Sequence, residues 1–174
     1  CLFSLATPYP LEVAYCANEK INFLAKKIIK KEKIDLIYAK RLRSAQFVKH
    51  IKEVPIILDT TDAMSLFYQK AFSKSSYLEK PLFLEEYLKY KGYENKLFNT
   101  LKNWIVCSQE DLDYLKRNAP SDVNFYLVPN GVDLDYYNGE EKLDFNNKEN
   151  NPSLIFSGLM DKFVNADSIL FFMK

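Results

Sequence analysis

Six residues of this chain stand at the ends of short apolar runs, and their types suit the binding of an anion or a polyol. Arg41 and Arg43 follow the run Ile34–Tyr38, Asp59 and Thr61 close the run that opens at Pro55, Ser108 follows Trp104–Cys107, and Gly158 follows Leu154–Phe156. A guanidinium offers forked donors that meet a phosphate or an acidic sugar through two parallel charged hydrogen bonds. A carboxylate such as Asp59 is an acceptor for hydroxyl groups, and a serine hydroxyl can give or take a hydrogen bond. Glycine lets backbone approach a phosphate where a side chain would obstruct it.

Each of these residues also has an ordinary use. Arg41 and Arg43 can pair with Asp59 or Asp62 across neighbouring loops. Asp62 can cap a helix starting at Ala63, because its carboxylate accepts an otherwise orphan backbone N–H. Ser108 can cap the next helix, with Asp111 three residues on completing the spacing of a capping box. No G-x-S-x-G surrounds Ser108, and Ser157-Gly158-Leu159 is no complete phosphate loop or dinucleotide fingerprint. His50 is the single histidine, so neither a His-rich metal site nor a Ser-His-Asp triad has support. Catalytic residues in the strict sense stay unassigned, and no metal site is expected.

Composition narrows the partners. A net charge of +1 supplies no global field for nucleic acid. Cys1, Cys16 and Cys107 form an odd set without C-x-x-C spacing, which fits a reducing compartment. No apolar stretch approaches the roughly 20 residues that span a bilayer. The basic run Lys26, Lys27, Lys30, Lys31 and Lys33 can approach anionic lipid or a lipid-linked acceptor, or can be the solvated face of an amphipathic helix. The expected location is cytoplasmic, with peripheral association at the inner face of a membrane left open.

The elements that position these residues follow from periodicity. Apolar residues at helical spacing predict a helix over 11–30, with lysines on the remaining face. Strands are expected at 34–38, 55–59, 104–107 and 125–128. Between them come a short helix over 44–52, a helix from Ala63, a long helix over 82–101 interrupted near Gly92, and a helix over 111–117. Short apolar strands alternating with helices predict an α/β fold, a Rossmann-like, mostly parallel sheet with helices on both faces. Asn138–Pro152 reads as a polar connector. Three parts are expected: residues 1–135 as an incomplete N-terminal domain, 136–152 as connector, and 153–174 as the first strand and helix of a second domain.

Four stretches resemble retaining glycosyltransferases of the GT-B fold, family 4-like, of the bacterial polysaccharide-assembly type. They run from Ile34 to Gln46, Ile57 to Leu66, Ile105 to Asp111, and Val128 to Asp133, the last containing Pro129-Asn130-Gly131. The likeness continues through Leu154–Met160 and Val164–Asp167. It implies a two-domain protein that transfers a sugar from a nucleotide-diphosphate sugar, a donor substrate and not a cofactor, to a saccharide or lipid-linked acceptor. On the same ground Arg41, Arg43, Asp59, Thr61 and Ser108 border the acceptor crevice, and Gly158 lies near the donor phosphates.

Relatives carry further N-terminal strands, and their Arg/Lys pair and Glu-x7-Glu motif lie deep in the donor domain. The resemblance therefore implies a chain cut at both ends and inactive alone. Many relatives have a histidine near Thr61, where this chain reads Asp59-Thr60-Thr61-Asp62. A nucleotide-sugar epimerase of related two-domain fold and a noncatalytic saccharide-binding or assembly subunit are the alternatives.

Overall fold

A computed structural model describes residues 7–137, 154–160 and 163–173, within two compact units, Cys1–Gly131 and Val132–Lys174. In the first unit, β1 (Ile37–Lys40), β2 (Ile56–Thr61), β3 (Asn103–Val106) and β4 (Asn124–Leu127) form one sheet in the order β1-β2-β3-β4. All three neighbouring pairs are parallel. Helices α1 (Leu11–Tyr15) and α2 (Glu19–Glu32) precede β1. A 3-10 turn (Leu42–Ser44) and α3 (Ala45–Val48) lead to β2, α4 (Met64–Lys74) and α5 (Lys80–Phe98) lead to β3, and α6 (Gln109–Asn118) leads to β4. This is the expected α/β, Rossmann-like parallel sheet with flanking helices, except that the helices, expected on both faces, cover one face far more than the other.

Three local expectations change. The helix expected over 11–30 is broken, because Asn18 takes an extended conformation and its side chain accepts the Lys20 N–H at 3.0 Å, starting α2 afresh. Apolar spacing carried across the break because both helices present residues to one core. Strand β1 begins at Ile37, not Ile34. Its ladder starts where the Ile37 N–H reaches the Pro55 carbonyl at 3.0 Å, and Pro55 has no N–H to extend pairing backward. Helix α5 runs through Gly92 without interruption, one face anchored by buried Tyr90, Tyr93, Leu97 and Phe98.

Strand register places Ala39, Leu58, Trp104 and Phe125 in one row across the sheet. Trp104 is fully buried, its indole N–H donates to the Leu101 carbonyl at 2.8 Å, and its ring lies 4.7 Å from Phe98. Burying each such large side chain contributes about 1.5–3 kcal/mol. The next rows, with Tyr38, Asp59, Ile105 and Tyr126, belong to a less covered face, where Tyr38 is 54% and Tyr126 51% exposed. Unequal coverage follows from the strand order. Right-handed crossovers that always step toward the same edge lay their helices on the same side.

Carboxylates reaching between elements tie the helices together. Buried Glu86 of α5 accepts the Leu11 N–H with both oxygens, at 3.2 and 3.1 Å, at the start of α1. Glu94, two turns along α5, accepts the Ser65 N–H at 3.1 Å at the start of α4. Donors left orphan at a helix start are thus satisfied from another helix.

In the second unit, α7 (Leu134–Tyr137) is started by Asp133, whose carboxylate accepts the Tyr136 N–H at 3.0 Å, and α8 spans Phe163–Phe172. Leu154–Phe156, expected as a strand, pairs with no described strand and Ile155 is 94% exposed; a β-ladder requires a neighbour. The Asn138–Pro152 connector lies outside the described residues. Among the described residues no helix is long and apolar enough to cross a membrane.

Candidate functional site at the carboxyl ends of the strands

In an open parallel sheet the loops after the strand carboxyl ends line the crevice where ligands bind. Those loops bring together Arg41, Asp59, Thr61, Asp62, Cys107 and Ser108. Lys40 ends β1 opposite Asp59 in the ladder, and the Arg41 N–H continues the pairing to the Asp59 carbonyl at 2.6 Å. The ladder between β2 and β3 shifts at Asp59/Thr61, after which the Cys107 N–H bonds to the Thr61 carbonyl at 3.1 Å. A bulge at a strand end re-aims the side chains around it.

Backbone strain concentrates here. Arg41 has φ 68° and ψ 145°, and Thr61 has φ 64°. An arginine near a region populated chiefly by glycine, and a β-branched residue in the left-handed region, each cost about 1–3 kcal/mol. Strain of this kind persists only where surrounding contacts over-determine it.

Asp59 is fixed on both oxygens. Tyr38 donates its hydroxyl to Oδ2, and Oδ1 accepts the Thr61 N–H at 2.9 Å. The Thr61 hydroxyl lies 3.4 Å from the same Oδ1. Donation to Asp59 is the main reason the Tyr38 pKa is raised, which keeps the phenol protonated. Sequence periodicity placed Tyr38 only as a strand residue. Its role is visible once the register sets it two positions before Lys40, the residue opposite Asp59, and so on the same face. Because a carboxylate has about four lone-pair sites, Asp59 retains capacity for a ligand hydroxyl.

The two arginines part company. Arg43 pairs with Glu12 of α1, whose other oxygen lies 3.4 Å from the Tyr90 hydroxyl. Arg43 therefore joins α1 to the turn after β1 and does not pair with either Asp59 or Asp62. Arg41 is exposed, and its guanidinium forms no hydrogen bond or ion pair among the described residues. Its charge still reaches Asp62. Burial, then the Asp111 charge, raises the Asp62 pKa, while Arg41 opposes them.

Ser108 caps α6. Its hydroxyl oxygen accepts the Asp111 N–H at 3.1 Å and donates to Asp111 Oδ2. Asp111 Oδ1 in turn accepts the Ala63 N–H at 3.1 Å. The start of α4, assigned from sequence to Asp62, is therefore served by Asp111, and no side chain on the N-cap residue Ala63 helps. Asp62 instead lies 3.9 Å from the Cys107 sulfur. Burial, followed by the charges of Asp62 and Asp111, raises the Cys107 pKa, so the thiol stays neutral and is no activated nucleophile.

Gly131, in the loop after β4, has open space where a Cβ would stand and no positive φ. Gly158 differs. A Cβ there would meet Phe156 at 2.8 Å and the Asn165 amide at 3.1 Å. The Asn165 amide donates to the Leu159 carbonyl at 2.9 Å, so the glycine gives room to a side-chain-to-backbone clasp within its own segment.

Two cavities open elsewhere. One of about 480 Å³ lies at the amino ends of β2 and β3, with Lys52, Pro55, Thr100 and Lys102 in its wall. Lys102 is already engaged by Asp122 at 2.7 Å and by the Phe98 carbonyl at 2.9 Å. The other, about 200 Å³, includes Tyr9, Asn22, Lys49 and His50. Neither unites acid, base and strained backbone as the carboxyl end does. Among the described residues no group of three or more His, Cys, Asp or Glu could hold a metal ion.

No protein-family model matches the chain, and no curated protein or solved structure matches it either.

Proposed function

We propose that the protein is the acceptor-side part of a retaining GT-B glycosyltransferase, moving a sugar from a nucleotide-diphosphate sugar to a saccharide or lipid-linked acceptor in surface polysaccharide assembly. The observation that carries this reading is an exposed Arg41, whose backbone N–H bonds to the Asp59 carbonyl, together with an Asp59 carboxylate held by Tyr38 and Thr61, at the carboxyl ends of adjacent parallel strands. The resemblance of the four stretches that contain these residues supports it.

In this reading Asp59 accepts from an acceptor hydroxyl, and Arg41 holds a neighbouring oxygen or an anionic group of the same acceptor. A carboxylate fixed on both sides orients that hydroxyl toward the donor, a contribution of positioning. Charge developing on the departing diphosphate is stabilised by cationic groups of the donor side, where Gly158 would adjoin the phosphates. Ser108, committed to its cap, shapes the crevice wall and does not touch the acceptor.

A panel of nucleotide-diphosphate sugars and oligosaccharide acceptors, assayed for transfer with the complete protein, tests the proposal. Arg41→Ala and Asp59→Asn are expected to weaken acceptor use while circular dichroism stays unchanged. Acceptor binding without transfer would favour a saccharide-binding subunit. Interconversion of the donor without any acceptor would favour the epimerase. Activity untouched by both substitutions would remove the crevice from the reaction.

A further inference from the structure

Asn22 stands on the inner row of α2, in helical register with Ala25 and Ile29, which pack against the core. A polar side chain on such a row needs a hydrogen-bond partner, because burial removes the water that would otherwise serve it. Yet its Oδ1 is buried and accepts no hydrogen bond among the described residues. Asn22 lies in the wall of the cavity of about 200 Å³ formed by α1, α2 and the end of α3. None of the residues lining that cavity is acidic, whereas Lys49 and His50 are both basic. The Lys49 ammonium lies 5.8 Å from the Tyr9 ring centroid and 5.9 Å from that of Tyr93. Two ring faces steady its charge and leave it available to an anion. Lys96 sits 5.7 Å over Tyr9 and adds positive potential. Glu12, the carboxylate of α1, is engaged by Arg43. The Gln46 amide donates to the Val13 carbonyl at 3.0 Å and the Arg43 carbonyl at 2.9 Å, so this part of the wall is set before any ligand arrives.

We propose that this cavity is a binding site for a small hydroxylated anion, with Lys49 and His50 at the anionic group and Asn22 Oδ1 accepting from a hydroxyl. Charge selects the anion. An ammonium is a compact point charge suited to phosphate or carboxylate oxygens, and an imidazole adds an N–H donor. The orphan oxygen selects the hydroxyl, since only a donor can satisfy it. Size excludes larger ligands. The cavity holds the volume of about seven waters, short of the roughly 300 Å³ at which pockets for drug-sized ligands begin. A nucleotide-diphosphate sugar is too large to enter, so the site is separate from the proposed transfer and independent of it. Glycerate and glycerol phosphate have the required size and groups.

His50 is the only histidine, so its ring protons report on the cavity without ambiguity in a proton spectrum of the full chain. The probes are glycerate, glycerol phosphate, propionate, inorganic phosphate and glycerol, each titrated at constant ionic strength. Glycerate or glycerol phosphate should move the His50 signals saturably, with a dissociation constant on the order of 1 mM or below. Which of the two binds identifies the anionic group as carboxylate or phosphate. Glycerol should leave the signals in place, and propionate and inorganic phosphate should bind at least about fivefold more weakly. Lys49→Met keeps the aliphatic stem and should weaken binding at least about tenfold. Asn22→Leu should erase the preference for the hydroxylated anion over propionate or inorganic phosphate. Its Tm should equal or exceed that of the parent, because the substitution removes a buried acceptor without a partner. Circular dichroism of both variants should match the parent. The proposal is overturned by the absence of a saturable shift with either hydroxylated anion, by equal binding of glycerol, or by binding indifferent to Lys49→Met. A preference for the hydroxylated anion that survives Asn22→Leu would also overturn it. So would inorganic phosphate binding as tightly as glycerol phosphate, which would mark an adventitious ion only.

Discussion

Glu94 accepts both the backbone N–H and the hydroxyl of Ser65, so a carboxylate of α5 sits buried at the first turn of α4. Burial pushes its pKa up to about 7, and the two Ser65 bonds only partly oppose that rise. Glu94 is a joint between helices, closed off from the crevice.

The pH dependence follows from that shift. A carboxyl whose folded pKa lies above its unfolded value contributes stability that is full below the unfolded value of 4.5 and is lost as pH rises through about 7. At 1.36 kcal/mol per unit the loss is on the order of 3 kcal/mol. Glu94→Gln keeps an acceptor for the N–H and a donor for the hydroxyl without the buried charge. Urea unfolding from about pH 5 to about pH 8 should show the variant gaining on the parent as pH rises. A variant weaker than the parent at about pH 8, with the same slope, would contradict the assignment.

Ser108 and Asp111 should be energetically coupled. Ser108→Ala removes the α6 cap and should cost about 1 kcal/mol. Asp111→Ala also strands the Ala63 N–H and should cost more, about 2–3 kcal/mol. The double variant should cost less than the two single losses together, as a double-mutant cycle in denaturant would measure. Simple additivity would mean that the two residues act separately.

Arg41 allows strain and recognition to be separated. Arg41→Gly and Arg41→Ala both remove the guanidinium, but only glycine accepts the φ of 68° without strain. The glycine variant should therefore exceed the alanine variant in stability by about 1 kcal/mol, while both lose acceptor use. Thermal melts beside a transfer assay would show it. Equal stabilities would argue that the local conformation carries no cost.

Glycines of three kinds should respond in three ways. Gly92 lies inside α5 with open space around its Cβ position, so Gly92→Ala should stabilise by about 0.5–1 kcal/mol. Gly131→Ala should change stability by less than about 0.5 kcal/mol. Gly158→Ala must displace the Phe156 ring or the Asn165 amide, so amide chemical shifts should move through 156–165. Shifts confined to residue 158 would place the ring elsewhere.

The fold class was legible because apolar strands alternate with helical spacings, and the Ser108 cap because its partner Asp111 lies three residues on. Pairings across the chain were not. Nothing local links Glu12 to Arg43, Glu94 to Ser65, or Asp111 to Ala63, since each pair meets only when separate elements pack. Asp62 was the nearest carboxylate to the start of α4 in sequence, whereas the one that serves it in space is 48 residues away. The strained φ at Arg41 and Thr61 left no mark in composition, because neither is glycine.

The unbroken strand order has a consequence for how the chain assembles. Each strand lies beside the strand that comes next in sequence, so none has to wait for a distant segment before its ladder can close. Closure entropy grows only slowly with loop length, so even the longest connection, between β2 and β3, adds little to the cost. The sheet can therefore grow from one edge during synthesis, one strand and its connecting helices at a time. Each added step first leaves a fresh edge of unpaired backbone groups, which the following strand takes up.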